Sequence, residues 1–339
     1  MFVARGGALE FIVTDIPRGA AEFNLIARIK ARSTQAGVTH RDDVVLGIGD
    51  DAALLRMPAG KLLVVATDTL NDGVHFPADT APADIGWKAL AVNLSDLAAM
   101  GAQPAWCTLS LSLPHGDPAW VDAFLDGFLA LASQHDVALI GGDTTRGPLS
   151  VCVTAHGFVT ADKVLRRDGA LAGDDVWVTG TLGDAAAALS QWRAGGAAEP
   201  ALRKRLDRPT PRIEAGRALA QVAHACIDIS DGLLADLGHM CAASGVGAEI
   251  DVDALPVSDT LRALFTDETR RVLQAVGGDD YELCFTAPAA RRADIARIGR
   301  DCGIAVTRVG DIVPEPGVRA LLGDGSAWVA PRAGYEHFS

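Results

Sequence analysis

The chain has 339 residues, of which 30 are Lys or Arg and 43 are Asp or Glu, so its formal net charge is −13 at pH 7. Proteins that bind nucleic acids hold the phosphate backbone with basic patches, so this acidic balance disfavours a nucleic-acid partner. A hydrophobic fraction of 49% with 22% charged residues is typical of a compact globular protein, and the length allows two domains with a core each.

The sequence contains no membrane-spanning or secretory segment that we recognise. Its longest apolar runs, such as residues 62–66, fall far short of the roughly 18 residues that a spanning helix needs, so we expect no membrane partner. Glu10 and Asp15 interrupt the apolar patch near the start, which disfavours a signal peptide. We interpret residues 1–18 as a poorly ordered N-terminal extension. The six cysteines include no Cys-x-x-Cys pair, which favours reduced thiols and a cytoplasmic location.

Helical and strand patterns alternate through the first half of the chain. Apolar residues at helical spacing predict a helix over 22–35, and β-rich runs at 44–55 and 62–70 predict two strands that carry aspartates. A long helix is expected over 82–99, because Gly101 follows its apolar pattern. The remaining elements are expected as a helix at 118–134 and strands at 106–114, 137–145 and 151–159. This alternation predicts an αβ domain with a mixed sheet.

A Gly- and Arg-rich connector at 163–175 separates the two halves of the chain. We therefore predict a domain boundary near residue 160, with an N-terminal domain over 19–160 and a C-terminal αβ domain over 161–339. The second half repeats the alternation, beginning with a strand at 176–180. The predicted fold class is α/β (α+β), with two αβ domains.

Aspartates recur beside apolar strands and small residues along the chain. They are Asp50 and Asp51 in GIGDDA, Asp68 in ATDT, Asp96 in NLSDLAAMG, Asp143 in GGDT, and Asp228 and Asp231 in IDISDG. Turn chemistry explains any one of them alone, because Asp caps helices and tolerates unusual backbone angles. If they converge, their like charges resist joint ionisation unless cations neutralise them. Carboxylate oxygens suit Mg²⁺, which shares its other positions with water and substrate phosphates, so the sequence predicts a magnesium site.

Other catalytic templates fit less well. GIGDDA at 47–52 matches the GxGxxA pattern of a dinucleotide-binding loop, with Asp68 near the position of a ribose-binding acid. Two aspartates in that loop would repel a pyrophosphate, and the short segment before the next strand leaves too little room for a crossover helix. We therefore rank a nicotinamide-dependent dehydrogenase below the magnesium hypothesis. A non-catalytic acidic metal-binding protein is a further alternative, whereas Walker A, protein-kinase and GxSxG patterns are absent from the sequence.

With these residues laid out, the sequence resembles the thiamine-monophosphate kinase family, part of the superfamily that includes aminoimidazole ribonucleotide synthetase and selenophosphate synthetase. The segments that carry the resemblance are EFNLIARI, LGIGDDAALL, TDTLNDGVHF, KALAVNLSDLAAMGAQP, IGGDTTRGPL, IDISDGLLADLGH, DDYELCF and GYEHF. The resemblance implies a Mg²⁺-dependent kinase that uses ATP to convert thiamine monophosphate to thiamine diphosphate by direct in-line transfer. It also implies two αβ domains and a homodimer formed by the N-terminal domain, with the nucleotide site near the subunit interface. Another ATP-dependent member of the superfamily is the nearest alternative.

The resemblance further implies roles for individual residues. The magnesium positions are Asp51, Thr67, Asp68, Asp96, Asp143, Asp228 and Asp231, with Asp96 bridging ions. The ATP positions are Gly142, Asp143, Arg167 and Ser230, and the positions near thiamine monophosphate are His75, Asp279 and Arg332. The sequence departs from the family pattern at two positions near the substrate. GGDD stands at 277–280 where the family has GGED, and Arg332 stands where the family has an aromatic residue. Trp328 or Tyr335 is the alternative aromatic residue to pack on the thiamine rings.

No residue is predicted as a general base. In transfer from ATP to a phosphate monoester, the attacking oxygen is already ionised, and the main difficulty is to bring two anions together. Metal ions reduce that repulsion and stabilise the charge that spreads in the transition state. Many aspartates without an evident base are therefore the pattern that this chemistry predicts.

Overall fold

The computed structural model describes residues 20–37 and 41–330. The predicted N-terminal extension, Arg332 and Tyr335 lie outside these ranges. The helices are α1 (Ala20–Gln35), α2 (Pro82–Ala99), α3 (Pro118–Gln134), α4 (Asp184–Arg193), α5 (Pro200–Asp207), α6 (Ile213–Leu219), α7 (Leu233–Ser244), α8 (Asp259–Leu264), α9 (Asp267–Val276) and α10 (Arg292–Asp301). Within the described ranges, no helix has the length and apolar character that crossing a membrane requires.

The strands form two large sheets and one hairpin. They are β1 (Val44–Leu46), β2 (Leu54–Leu55), β3 (Leu62–Asn71), β4 (Gln103–Leu113), β5 (Ala138–Arg146), β6 (Ser150–Val159), β7 (Asp174–Thr179), β8 (Ala225–Asp228), β9 (Gly247–Asp251), β10 (Leu283–Pro288), β11 (Val306–Val313), β12 (Gly317–Leu321) and β13 (Ala327–Trp328). The first sheet has the order β3-β6-β4-β5, and the second has the order β13-β12-β9-β11-β7-β10-β8. Each sheet contains parallel and antiparallel pairs, which confirms the predicted fold class with mixed sheets.

The strand predicted over 44–55 is instead a hairpin. β1 and β2 pair antiparallel, and GIGDDA forms the connection between them. A dinucleotide-binding loop joins a strand to a helix whose N-terminus meets the pyrophosphate. Because no helix follows this connection before β3, the structure excludes the dehydrogenase alternative that rested on GIGDDA.

The side chains of β3 alternate between the two faces of the first sheet. Successive side chains of a strand point to opposite faces, and along β3 the more buried positions include Ala66, Asp68 and Leu70, on the side where α2 packs. Leu63 and Val65 lie on the other side and are 44% and 53% exposed. Helices cover one face of the first sheet. The hairpin of β1 and β2 covers part of the other face, where Val44 and Leu55 pack against the cluster of Trp106 and Phe158, and the rest of that face is open.

Helices α2 and α3 cross at two glycines. A Cβ atom built on Gly86 would lie 2.1 Å from the carbonyl oxygen of Phe124, and one built on Gly127 would lie 1.7 Å from the carbonyl oxygen of Ala83. Each glycine therefore contacts the backbone of the other helix, an approach that any larger residue prevents. This contact fixes the depth of α2 beneath the sheet.

The core continues from the first half of the chain into the second. A Cβ atom on Gly216 of α6 would lie 2.0 Å from the carbonyl oxygen of Ala98 on α2, and one apolar cluster includes Leu94 of α2, Leu219 of α6 and Phe285 of β10. α2 thus packs against elements of both halves. A domain boundary near residue 160 stays a prediction, in the segment between β6 and β7.

Replacing Gly127 with alanine tests the close crossing of α2 and α3. The added methyl group collides with backbone rather than with a movable side chain, so we expect Gly127→Ala to lower the free energy of unfolding by roughly 1–3 kcal/mol or more. Gly238→Ala is the matched control, because it also lies inside a helix but its Cβ atom would be 4.0 Å from Val318. This control should be neutral or stabilising by up to about 1 kcal/mol. Equal stability of the two variants in denaturant unfolding would contradict the packing described here.

Candidate active site

Three aspartates of different elements approach one another between the two halves. Asp68 belongs to β3, Asp96 to the last turn of α2, and Asp228 to the end of β8. Burial raises the pKa of Asp96 to about 8, and the negative charges of Asp228 and Asp68 act in the same direction. Burial also raises the pKa of Asp228 to about 6 and raises the pKa of Asp68, which is hydrogen-bonded to Asp96. Without a cation, this group therefore retains protons near neutral pH.

Helix α2 fixes the backbone of β3 at Asp68. The Asn93 side chain is fully buried, and its Oδ1 accepts a hydrogen bond of 3.0 Å from the main-chain amide of Asp68. Its Nδ2 donates to the carbonyl oxygen of Ala89, also at 3.0 Å. Since Asn93 precedes Asp96 by one helical turn, the same helix face supplies a carboxyl and positions its neighbour. Sequence reasoning assigned Asn93 no role.

Asp236 organises the loop that follows β8. Its Oδ2 accepts hydrogen bonds from the main-chain amides of Ser230, Asp231 and Gly232, at 3.0, 3.1 and 3.1 Å. Gly232 has a φ of 120°, a conformation that favours glycine. Sequence reasoning missed Asp236, although an acidic residue in the first turn after Ser-Asp-Gly is a capping signal. This carboxylate positions the predicted ATP residue Ser230 and the predicted metal residue Asp231.

An open cleft of about 550 Å³ adjoins these aspartates. Asp96 and Asp228 line it together with Arg167, whose positive charge lowers the pKa of both carboxyls, opposing the effect of burial. The neighbouring Arg166 is held by Asp168, with Nε 2.8 Å from Oδ1. The cleft therefore presents carboxylates and a guanidinium together, as a polyphosphate with bound cations requires.

Other predicted metal positions lie on the open face of the first sheet. Thr67 follows the alternation of β3 to the side opposite Asp68, and its hydroxyl donates to the carbonyl oxygen of Val153 at 3.2 Å. Asp143 of β5 is paired with Ser110 of β4, and both are exposed. The structure therefore divides the predicted magnesium positions between two faces of one sheet.

Asp51 lies in neither group. It is exposed in the connection between β1 and β2, where its main-chain amide donates to Oδ1 of Asp50 at 2.8 Å. Within residues 20–37 and 41–330, no three His, Cys, Asp or Glu side chains are close enough together to hold a metal ion. The magnesium assignment of these residues stays a prediction.

Gly142 allows two strands to approach closely beside Asp143. It has a φ of 151°, and a Cβ atom there would lie 1.8 Å from the carbonyl oxygen of Leu109. The exposed edge at this point consequently carries main chain rather than a side chain. That is a suitable surface for a nucleotide phosphate, and the ATP assignment of Gly142 also stays a prediction.

A buried lysine links the predicted substrate residues. The Nζ atom of Lys88 on α2 donates to the carbonyl oxygen of His75 at 2.9 Å and lies 2.8 Å from Oδ1 of Asp279. The Nδ1 atom of His75 accepts a hydrogen bond from the main-chain amide of Asn71 at 2.9 Å. Sequence reasoning placed His75 and Asp279 near one ligand but missed Lys88. A lysine inside an apolar helix face was the available signal.

The two mixed sheets and the acidic cleft between them define the class of AIR synthase related proteins. The family model of the AIR synthase related protein N-terminal domain matches residues 49–159, and that of the C-terminal domain matches residues 172–323.

The similarity extends over nearly the whole chain to individual enzymes. Thiamine-monophosphate kinase of Salmonella typhimurium strain LT2 is 47% identical over 323 residues, which cover 94% of this chain and 98% of that protein. The crystal structure of thiamine-monophosphate kinase from Stenotrophomonas maltophilia K279a has 56% identity and a TM-score of 0.83, covering 91% of this chain and 98% of that one. The structure of AaThiL complexed with AMPPCP and TMP has 32% identity and a TM-score of 0.73, covering 96% of this chain and 100% of that one. The chain belongs to the thiamine-monophosphate kinase family.

The proton held by the aspartate group predicts a pH-dependent stability in metal-free buffer. The folded protein keeps the Asp96 proton up to a pH of about 8, whereas the ordinary carboxyl value is 3.8. Because the folded state then binds more protons than the unfolded chain, the free energy of unfolding should fall as pH rises from about 4 to about 8. Asp96→Asn removes one of these titrations and should make the fall in stability less steep, while the raised pKa of Asp228, about 6, still contributes. Asp267→Asn, an exposed carboxyl on α9, should leave the profile unchanged, and an equally steep profile in Asp96→Asn would contradict the buried proton.

Proposed function

We propose that this protein transfers the γ-phosphoryl group of ATP to thiamine monophosphate, forming thiamine diphosphate and ADP. The observation that carries the proposal is the cleft in which Asp96 and Asp228 lie beside Arg167. It occurs in a chain that resembles thiamine-monophosphate kinases over 94% of its length. The complex of AaThiL with AMPPCP and TMP supports the same pair of substrates.

We infer that Mg²⁺ is the cation of this cleft. The donor groups are carboxylate oxygens, and Asp68 and Asp96 are hydrogen-bonded to each other, so at least one of them carries a proton that a cation can replace. Oxygen donors beside a phosphate site fit Mg²⁺. Asp68 and Asp96, the hydrogen-bonded pair, would supply two carboxylate ligands, as is usual for Mg²⁺, and the bound ion would neutralise phosphate charge during the transfer.

The protein's own residues would align the two phosphates rather than move a proton. The acceptor oxygen of a phosphate monoester is already ionised at neutral pH, so direct in-line attack needs no general base. Arg167 supplies a fixed positive charge to the cleft, and Asn93 and Asp236 hold the backbone on either side of it. These contacts fix the geometry in advance, which lowers the barrier for a reaction between two anions.

The open face of the first sheet supports a homodimer. Leu63 and Val65 on β3 are exposed by 44% and 53%, and exposed apolar surface is typical of an interface. A second copy is the occupant we propose, because Thr67 and Asp143 lie on this same face and would then approach the partner.

We also place the protein in the cytoplasm, since six free cysteines are typical of a reducing compartment.

The first test measures thiamine diphosphate and ADP from purified protein with ATP and thiamine monophosphate, with and without Mg²⁺. We expect product only when ATP, thiamine monophosphate and Mg²⁺ are all present. Asp96→Asn should lower kcat by roughly 100-fold or more, because a charge-stabilising group is lost. Asp267→Asn is the control and should retain wild-type kcat. Product from thiamine, or from an aminoimidazole precursor in place of thiamine monophosphate, would assign another substrate to the fold.

The second test measures molar mass by light scattering. We expect a dimer for the wild type, and a monomer for Leu63→Asp, since a charge in the centre of an apolar interface is strongly unfavourable. Leu171→Asp is the matched control, because Leu171 is also exposed, by 55%, but lies in the second half of the chain. A dimeric Leu63→Asp protein would show that this sheet face is not the interface.

A further inference from the structure

We propose that Lys88 is a positioning residue for the phosphate acceptor: its buried ammonium group fixes the orientation of the Asp279 carboxylate, and this carboxylate binds thiamine monophosphate. The proposal rests on the proposed function. It concerns a residue outside the magnesium and ATP positions, and it acts through Asp279.

The surroundings of Lys88 are those of a buried charge with specific partners. Its side chain is 1% exposed, and its Nζ contacts Oδ1 of Asp279 at 2.8 Å and the carbonyl oxygen of His75 at 2.9 Å. An uncompensated ammonium group is very unfavourable in such a place. An apolar side chain of similar size would often be as stable as a buried ion pair. Stability alone therefore does not explain a lysine here.

The ion pair joins the two halves of the chain at a constrained backbone. Lys88 belongs to α2, whereas Asp279 precedes β10 and has a φ of 69°. The main-chain amide of Asp279 donates to the carbonyl oxygen of Ser230 at 2.9 Å, and the carboxylate of its neighbour Asp280 accepts from the amide of Gly183 at 2.9 Å. Positive φ at a non-glycine residue is unfavourable, and such strain concentrates at ligand sites. Two side chains contact this carboxylate: Lys88, with Nζ 2.8 Å from Oδ1, and Tyr281, whose hydroxyl donates to the same oxygen at 3.4 Å.

Asp279 lies in negatively charged surroundings. The phenol of Tyr281 is within electrostatic range of Asp279, Asp68 and Asp228 together, so Asp279 lies close to the acidic group. The ammonium group of Lys88 supplies positive charge at this position, 2.8 Å from Oδ1 of Asp279.

The exposure of Asp279 suits it for ligand contact. Its side chain is 26% exposed, whereas Lys88 is 1% exposed, so a ligand reaches the carboxylate and not the ammonium group. An ionised carboxylate attracts the cationic thiazolium ring and accepts a hydrogen bond from an aminopyrimidine. Lys88 consequently affects substrate affinity without touching the substrate.

The test compares steady-state kinetics of Lys88→Met with the wild type, varying each substrate separately. Methionine keeps the length of the side chain and removes its charge. We expect KM for thiamine monophosphate to rise about tenfold, the scale of one charge-assisted hydrogen bond, with KM for ATP and kcat each within about threefold. Lys204→Met, an exposed lysine on α5, is the control and should behave as wild type.

A double-mutant cycle with Asp279→Asn separates positioning from a general structural role. If Lys88 acts through Asp279, the double variant should have the same KM for thiamine monophosphate as Asp279→Asn alone. The proposal would be overturned if the increase in KM for thiamine monophosphate in the double variant were the product of the two single increases. Equal increases of KM for ATP and KM for thiamine monophosphate in Lys88→Met would also overturn it. If Lys88→Met does not fold, Asp279→Asn still decides, because an unchanged KM for thiamine monophosphate in that variant also overturns it.

The wild-type assay keeps this proposal distinct from the proposed function. Wild-type protein that makes no thiamine diphosphate overturns both proposals. Wild-type protein that makes it, with Lys88→Met altering kcat but not KM for thiamine monophosphate, overturns the role of Lys88 alone.

Discussion

The mutual repulsion of buried carboxyls is the constraint on which the rest of this structure depends. Asp68, Asp96 and Asp228 come from two halves of the chain and meet where burial already disfavours their charge. Protons and the guanidinium of Arg167 offset part of that repulsion. Binding of the proposed Mg²⁺ would relieve the same repulsion. The electrostatic strain and the proposed phosphoryl-transfer chemistry thus have one origin.

Helix α2 brings the parts of the site together. The helix carries Asp96 in its last turn. Its buried Asn93 accepts a hydrogen bond from the amide of Asp68, and its buried Lys88 contacts Asp279. Two glycine contacts, with α3 and with α6, set the position of the helix. A small shift of α2 would move Asp96 and alter the contacts to Asp68 and Asp279 together, so packing far from the cleft controls its geometry.

Much of the secondary structure could be predicted because it depends on local patterns. The predicted helices at 82–99 and 118–134 have the bounds of α2 and α3, and the predicted strands at 62–70 and 151–159 differ from β3 and β6 by one residue. The run at 44–55 was the exception, since its glycines and aspartates form a hairpin connection. A short apolar pattern does not distinguish one strand from two.

The sequence by itself determined the kind of chemistry: which carboxylates recur, in which motifs, and which family they resemble. Only the tertiary structure decided that Asp68 lies beside Asp96 while Thr67 and Asp143 lie on the opposite face of the same sheet. It also revealed Asp236 and Lys88, whose partners are main-chain amides or residues far away in the chain. Motifs and periodicity record neighbours within a few residues, whereas burial, strand register and the partners of a charge depend on distant segments.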